Sequence, residues 1–535
     1  MKYIAILVFF FISLTGKSQN VLQGIEFKVG GKTDKYVSPN NTTSISKIDG
    51  KGYFVNLGYQ NYKFNESLDC KDKLRSPLAS NTPNYNPGHF FNNYSVCNKK
   101  LFGFTSYYRE SRKIYELYTN EINFETNEIV ETKKILEYNR EDYPDICGRF
   151  RVIKSNYSGN YIVYPSRRGE VDYSFKIWST DCEISKKLPI WILDSNFKAI
   201  NNYIFKKIDN IPEQVILKDI ETDSIGNIYA LCEHVYNNES DTTSYVLYKI
   251  SNGGNDIKTY SISSINQYKK VTDHAIYLYK NKLYCSITLG QKKDAVELIK
   301  FIEIDCNSFK PIIDKTYNLC NSLHFSPYYL DSYSSKKKGS GQQIPDLRLQ
   351  YFFVDEQFAY LISQRSITKK GLLGDIYICK IDVNNSIPMQ TISIPINQRV
   401  GNPDLCGFAL APNMANTISH NYNYGIIKRE DCLFIVFPEN INQSSIKPNS
   451  MYLKTEMWPY HIIGANKNSC LSIVSIKDDA PIKKEKIMNL EDFPIYPICS
   501  SIKQISNGKY AIVSIDGQGP DSISLDILNL ENYGK

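Results

Sequence analysis

The residue types that carry most enzyme chemistry are present, but their spacing does not assemble a reaction. Six histidines (His89, His234, His274, His324, His420 and His461) lie far apart, without the short spacings that bring two imidazoles to one zinc ion. Thirteen cysteines include no C-x-x-C pair, which excludes zinc-ribbon and dithiol redox chemistry. There is no G-x-S-x-G elbow, H-E-x-x-H segment, Walker-type phosphate loop or dinucleotide fingerprint. Carboxylates abound, and two that met across a channel would supply the acid and base of a polysaccharide hydrolase. Their meeting depends on tertiary structure. Asp516-Gly517-Gln518-Gly519-Pro520-Asp521 is oxygen-rich and bent like a calcium loop but lacks its spaced ligands, and turn chemistry accounts for it. The expectation leans away from catalysis, with no metal and no cofactor.

The N-terminus bears on compartment. Lys2 precedes an apolar run, Ile4 to Leu14, and Gly16-Lys17-Ser18 then offers small residues for cleavage. Residues 1–18 have the pattern of a secretory signal peptide; a run of about 11 residues is too short for the roughly 20 of a spanning helix. Cys70 is the first cysteine, so no lipid-anchor cysteine follows the run. The remaining chain is expected to be periplasmic or extracellular, without a lipid anchor or a transmembrane segment. Loss of Lys2 and Lys17 lowers the net charge from +7 to +5, which is mild for 535 residues and gives no reason to expect nucleic acid. Cys285 and Cys379 sit in apolar strand-like runs and read as small core residues, whereas Cys306 and Cys320 are near enough in sequence to bridge.

The elements available to position a site are strands. Short runs rich in Tyr, Ile, Val and Phe recur between Gly, Asn, Asp and Ser, and one hairpin pattern repeats. Its second strand appears eight times: Gly52 to Tyr59, Lys100 to Tyr108, Gly159 to Ser166, Gly226 to Cys232, Asn281 to Thr288, Gln357 to Gln364, Asp431 to Phe437 and Gly508 to Ile515. The turns Asp49-Gly50, Ser158-Gly159, Gly226-Asn227 and Asn507-Gly508 suit the positive φ of tight hairpins. A second hairpin follows, with third strands expected at Phe175–Trp178, Tyr245–Ile250, Phe301–Asp305, Ile376–Asp382 and Leu471–Lys477.

Four strands per unit resemble a blade of the β-propeller superfamily, although neither Trp-Asp strand ends nor sialidase-type Ser-x-Asp-x-Gly-x-Thr-Trp boxes occur. The resemblance implies an all-β closed propeller over residues 19–535, with eight blades favoured over seven. The last unit ends at Ser522–Leu530, so Val21–Val29 is expected to supply its outer strand. Two tandem β-sandwiches are the alternative. Residues 332–345 and 438–468 break the period and read as insertions.

In a propeller the connections between second and third strands share one face, and here they tend to be basic and aromatic. They carry Tyr107, Tyr108, Arg109 and Arg112, then Arg167 and Arg168, Lys292 and Lys293, Arg365, Lys369 and Lys370, and finally Trp458 and Tyr460. Such a ring would hold an acidic protein or a glycan, charge guiding the encounter and aromatics giving contact area. Glu110, Glu170, Asp172 and Asp294 are interspersed and temper its charge. The leading expectation is an exported, non-catalytic binding or scaffolding propeller of the cell envelope. A periplasmic subunit of an outer-membrane secretion or transport complex and a propeller hydrolase or lyase acting on polysaccharide are the alternatives. Asp223-Ser224-Ile225 and Asp521-Ser522-Ile523 also resemble a short O-glycosylation motif of some envelope bacteria.

Overall fold

A computed structural model describes residues 18–22, 25–30, 43–57, 60–74, 94–143, 146–167, 182–184, 187–206, 214–236, 243–262, 270–290, 295–319, 344–345, 347–367, 372–384, 389–394, 398–399, 424–430, 432–440, 469–477, 482–490, 495–516 and 523–533. Residues 1–17 of the expected signal peptide lie outside them, as do residues 517–522 of the calcium-like loop and second glycosylation-like motif.

All eight predicted second strands are second strands of eight antiparallel sheets. Each sheet is a four-stranded unit, some with an added strand. We number these blades 1 to 8 in chain order of their first strands. Blade 2 consists of Tyr94–Cys97, Lys100–Arg109, Ile114–Ile122 and Ile129–Asn139. Blade 3 consists of Ile146–Lys154, Tyr161–Arg167, Lys187–Leu193 and Ala199–Lys206. First strands stand innermost: those of blades 4, 5 and 6 touch in succession, as do those of blades 7, 8 and 1. The chain is an eight-bladed β-propeller.

Local chemistry explains the hairpins. Gly50, Gly159, Gly226 and Gly508 have φ of 75°, 72°, 87° and 71°, as their turns require. Where no glycine is available, Asn98-Lys99 and Lys280-Asn281 take the left-handed region at both central positions. Each blade has two apolar faces, so neighbouring blades bury residues such as Phe54, Ile162, Leu231 and Ile302 between them.

Closure follows the sequence expectation. Ile25–Lys28 pairs with the last strand, Ile523–Asn529, Phe27 lying opposite Leu528. Ile25 and Phe27 are fully buried in a cluster with Phe434 of blade 7 and Leu528 of blade 8. The Asn529 amide donates to the Glu26 carboxylate at 3.1 Å, and Asp526 accepts the Gly30 N–H at 3.1 Å. One further strand, Ser18–Leu22, pairs outside Ile25–Lys28, so the outer edge of blade 8 is double.

Several details depart from the sequence pattern. The third strand of blade 3 is Lys187–Leu193, and the expected Phe175–Trp178 lies outside the described residues. Pro438–Asn440, the start of the expected insertion, continue the second strand of blade 7 (Cys432–Asn440). Ile344–Pro345, the end of the other insertion, form a short strand paired with Ala295–Val296. Cys285 and Cys379 are buried free thiols, as expected; Cys306 is also a buried free thiol, and Cys320 is not among the described residues.

Candidate functional site

The connections between second and third strands, and those between blades, emerge on one face, termed here the loop face. The hairpin turns within blades emerge on the other, the turn face. The loop face carries the added structure. Besides the pairing of Ala295–Val296 with Ile344–Pro345, the strand Cys182–Ile184 leaves the second connection of blade 3. It pairs with the innermost strand of blade 4, Gln214–Thr222, on the edge facing the axis.

A groove opens on this face between blades 2 and 3. Its floor begins with register. Tyr108 lies opposite Tyr115, and Tyr115 opposite Tyr138, on three adjacent strands of blade 2. Residues directly opposed across strands share a face of the sheet, so the three rings form a row with centroid spacings of 4.4 and 5.1 Å. Blade 3 answers with Phe150 and Trp191, 5.4 and 6.3 Å from Tyr138. Tyr143, in the connection between the blades, stands edge-on to Tyr138 at 5.9 Å.

A cavity of about 300 Å³ remains above this packing. Tyr138, Pro189 and Trp191 are buried residues beneath it, and Ile114 and Tyr143 line it beside them. Glu137, Asn139, Asp142 and Asn202 supply polar lining. Asn139 caps the 3₁₀ turn Arg140–Asp142, its Oδ1 accepting the Glu141 N–H at 2.9 Å. Burial, then the neighbouring Asp142 carboxylate, raises the Tyr143 hydroxyl above its ordinary value.

The predicted Tyr107, Tyr108, Arg109 and Arg112 all lie at the loop-face end of blade 2, beside this groove. Arg109 is engaged within its blade, its guanidinium pairing with Glu116 and donating to the Tyr118 oxygen at 3.3 Å. Burial alone would raise the Glu116 carboxyl; hydrogen bonds from Arg109 and Tyr118 outweigh it and hold the group below the usual carboxylate range. Tyr107 packs edge-on against Tyr118 at 5.3 Å. Tyr108 lies under the Arg140 guanidinium, 5.9 Å from the ring centre. Arg112 is exposed in the turn Glu110–Arg112.

The remaining predicted residues are not brought into view. Arg167 ends the second strand of blade 3 and Arg365 lies in that of blade 6, Phe358–Ile367, but only their backbones are described. Arg168, Lys292, Lys293, Lys369, Lys370, Trp458 and Tyr460 fall outside the described residues. Sequence reasoning missed Tyr115, Tyr138, Tyr143, Trp191 and Asn202. Their one local signal was the tyrosine alternation of blade 2; Trp191 was overlooked because the third strand of blade 3 was placed too early.

The inner strands hold the other concentration of charge. Lys218 and Glu233 of blade 4 form a largely buried ion pair at 2.9 Å. His274 Nε2 donates to the Lys218 carbonyl at 3.1 Å, and Arg348 donates to the Thr272 carbonyl at 3.3 Å. Asp219 accepts the Ile276 N–H at 2.8 Å, and Asp273 accepts the Leu349 N–H at 3.1 Å. The same stitch thus joins blade 4 to 5 and blade 5 to 6. His234 is buried, its Nε2 within 2.8 Å of the Tyr248 hydroxyl, and burial lowers its pKa. Among the described residues no three His, Cys, Asp or Glu side chains gather to hold a metal ion.

No family model and no curated protein matches this chain. Solved structures with a similar fold include the polysaccharide lyase Uly1, at 10% identity over 86% of this chain and 93% of that one, with a TM-score of 0.32. The β-propeller domain of the Trilobed protease from Pyrococcus furiosus is also 10% identical, over 86% and 98%, with a TM-score of 0.31. The Dos1 propeller is 8% identical over 70% and 84%, with a TM-score of 0.32. Likeness at this level concerns fold and carries no activity across.

Proposed function

We propose that this chain is an exported, non-catalytic binding propeller that holds a protein or glycan partner on its loop face in the bacterial cell envelope. The observation that supports this reading best is the aromatic groove between blades 2 and 3, open on the same face as Tyr107, Tyr108 and Arg112. The half-buried Tyr108 and Tyr143, held by their neighbours, lose little freedom when a ligand covers their exposed edges, so they give contact area at low entropic cost. Arg112, exposed beside them, would help to steer an approaching partner. A subunit docked on an outer-membrane secretion or transport complex is a narrower form of the same function.

A hydrolase or lyase acting on polysaccharide is the second reading, favoured by Lys218, Glu233, His274 and Arg348 on the inner strands. Their contacts with neighbouring strands give them structural work, which weighs towards binding. The test is gentle purification from detergent-solubilised envelopes, with identification of what accompanies the protein. Replacing Arg112, Arg167, Arg168, Lys369 and Lys370 by Ser is expected to reduce partner capture. Unchanged capture removes the loop face from consideration, and polysaccharide turnover by the purified chain favours the enzyme.

A further inference from the structure

We infer that Ser224 is a covalent glycan attachment site on the turn face, and that Ile225 is the residue by which a glycosyl transferase selects it. This rests on export in the reading above and adds a site on the face opposite the partner's. The pattern of an acid, a hydroxyl residue and an aliphatic residue occurs twice, as Asp223-Ser224-Ile225 and Asp521-Ser522-Ile523. The fold treats the two copies differently. Ile523 opens the last strand of blade 8 and is fully buried in the cluster shared with blade 1, so no enzyme acting on the folded chain reaches it. Ser224 and Ile225 are both exposed at the tip of the first hairpin of blade 4.

That tip is held by its backbone. The Gly226 N–H donates to the Asp223 carbonyl at 3.1 Å, which closes a four-residue turn around Ser224 and Ile225. The Asp223 carboxylate accepts the N–H groups of Ile225 and Asn227, and the Asn201 amide of blade 3 donates to the Ile225 carbonyl at 3.1 Å. The Ser224 hydroxyl takes part in none of these bonds and stands exposed on a fixed support.

Packing does not explain Ile225. At 69% it is the most exposed large hydrophobic side chain among the described residues. Equivalent tips of other blades are polar, as in Asp49-Gly50, Lys280-Asn281 and Asn507-Gly508. One exposed aliphatic residue alone would signify little. Here it completes a motif whose hydroxyl is equally exposed. Blade 3 adds the exposed Tyr157 on its own first hairpin and Ile200 beside Gly226. A bulky, hydrated sugar chain on Ser224 would shield apolar surface at this corner.

In the transfer, Ser224 Oγ attacks the anomeric carbon of a sugar activated by a diphosphate leaving group. The new C–Oγ bond forms as the bond from that carbon to the diphosphate oxygen breaks. The diphosphate leaves with the electron pair, and a base of the transferase takes the hydroxyl proton.

The experiment is mass spectrometry of the chain purified from its own cells, intact and after proteolysis with site-localising fragmentation. The peptide carrying Ser224 is expected to gain the mass of one or more sugar residues, and Ser522 to carry none. Ser224→Ala and Ile225→Asn should each abolish the gain. Both side chains are exposed, so thermal unfolding of the unglycosylated chain, made in a host without the transferase, should be unchanged in either variant. A chain lacking residues 1–18 with Ser224 unmodified would overturn the inference and leave export standing. Sugar on Ser522 in preference to Ser224, or a gain that survives either variant, would overturn it as well. A chain that retains residues 1–18 and carries no sugar would overturn both the site and the export on which it rests.

Discussion

On the turn face of the ring, short connections are braced by their own acidic residues; on the loop face, some connections carry added strands and those around blade 2 frame the groove. Asp223 illustrates the first. Its carboxylate accepts the N–H groups of Ile225 and Asn227 at 3.2 and 2.8 Å, the Asn227 amide at 2.8 Å and the Tyr229 hydroxyl at 3.2 Å. Asp194 accepts two N–H groups at 2.8 Å, and Asp355 two at 2.9 and 2.8 Å. In the glycosylation-like Asp223-Ser224-Ile225 segment the acid is thus a turn brace, and Ser224 and Ile225 are exposed. Blades are also joined here: Glu221 of blade 4 accepts the Ser155 hydroxyl of blade 3 at 2.5 Å and the Asn156 N–H at 3.2 Å. On the turn face, these acids satisfy the donors of their own turns within the chain.

That division can be broken by mutation. The largest effect is expected at the closure, which belongs to neither face. Phe27→Ala removes a fully buried ring and should cost about 3–5 kcal/mol in urea unfolding, with partner binding intact in the folded fraction. Next, Asp223→Ala should cost about 2 kcal/mol by unbracing its turn, again without loss of binding. If binding falls with it, the faces are coupled and the division fails.

A third test uses pH. Burial raises the Glu221 carboxyl above its ordinary value, and its hydrogen bonds only partly offset this. The folded state therefore holds the proton to higher pH than the unfolded chain. The associated stability is fully present below the unfolded pKa and is lost as pH rises through the folded one. Glu221→Gln carries no such dependence, so its stability relative to the parent should increase as pH rises above the ordinary carboxylate range. Parallel curves from thermal unfolding would refute the assignment. The smallest change in stability is expected on the loop face: Arg112→Ser should shift unfolding by no more than about 0.5 kcal/mol while weakening partner capture.

Much of the architecture was legible because it is written locally. Period-2 alternation, paired with Gly50, Gly159, Gly226 or Gly508 at the turn, identifies a hairpin within a dozen residues. Its eightfold recurrence implies a ring. The third strand of blade 3 was misplaced because Phe175–Trp178 and Lys187–Leu193 are both short apolar runs, and pattern alone cannot rank them. The groove was less legible still. Tyr115 and Tyr138 meet only through strand register, and Trp191 reaches them only because two blades pack. Of the predicted binding residues, Arg109 shows the limit most clearly, since its Glu116 partner is on the neighbouring strand and is visible only once the sheet is folded.

The strand Cys182–Ile184 has a consequence for how the molecule keeps company. An innermost strand with a bare edge is a template on which any extended segment can add itself, and that is how sheets recruit strangers. At Val215–Leu217 the protein has filled the vacancy from its own chain, with a piece of the preceding blade. A foreign strand would have to evict a tethered occupant, which rebinds at the high local concentration that a short connection imposes. The axis-facing edge of blade 4 is therefore a place already taken.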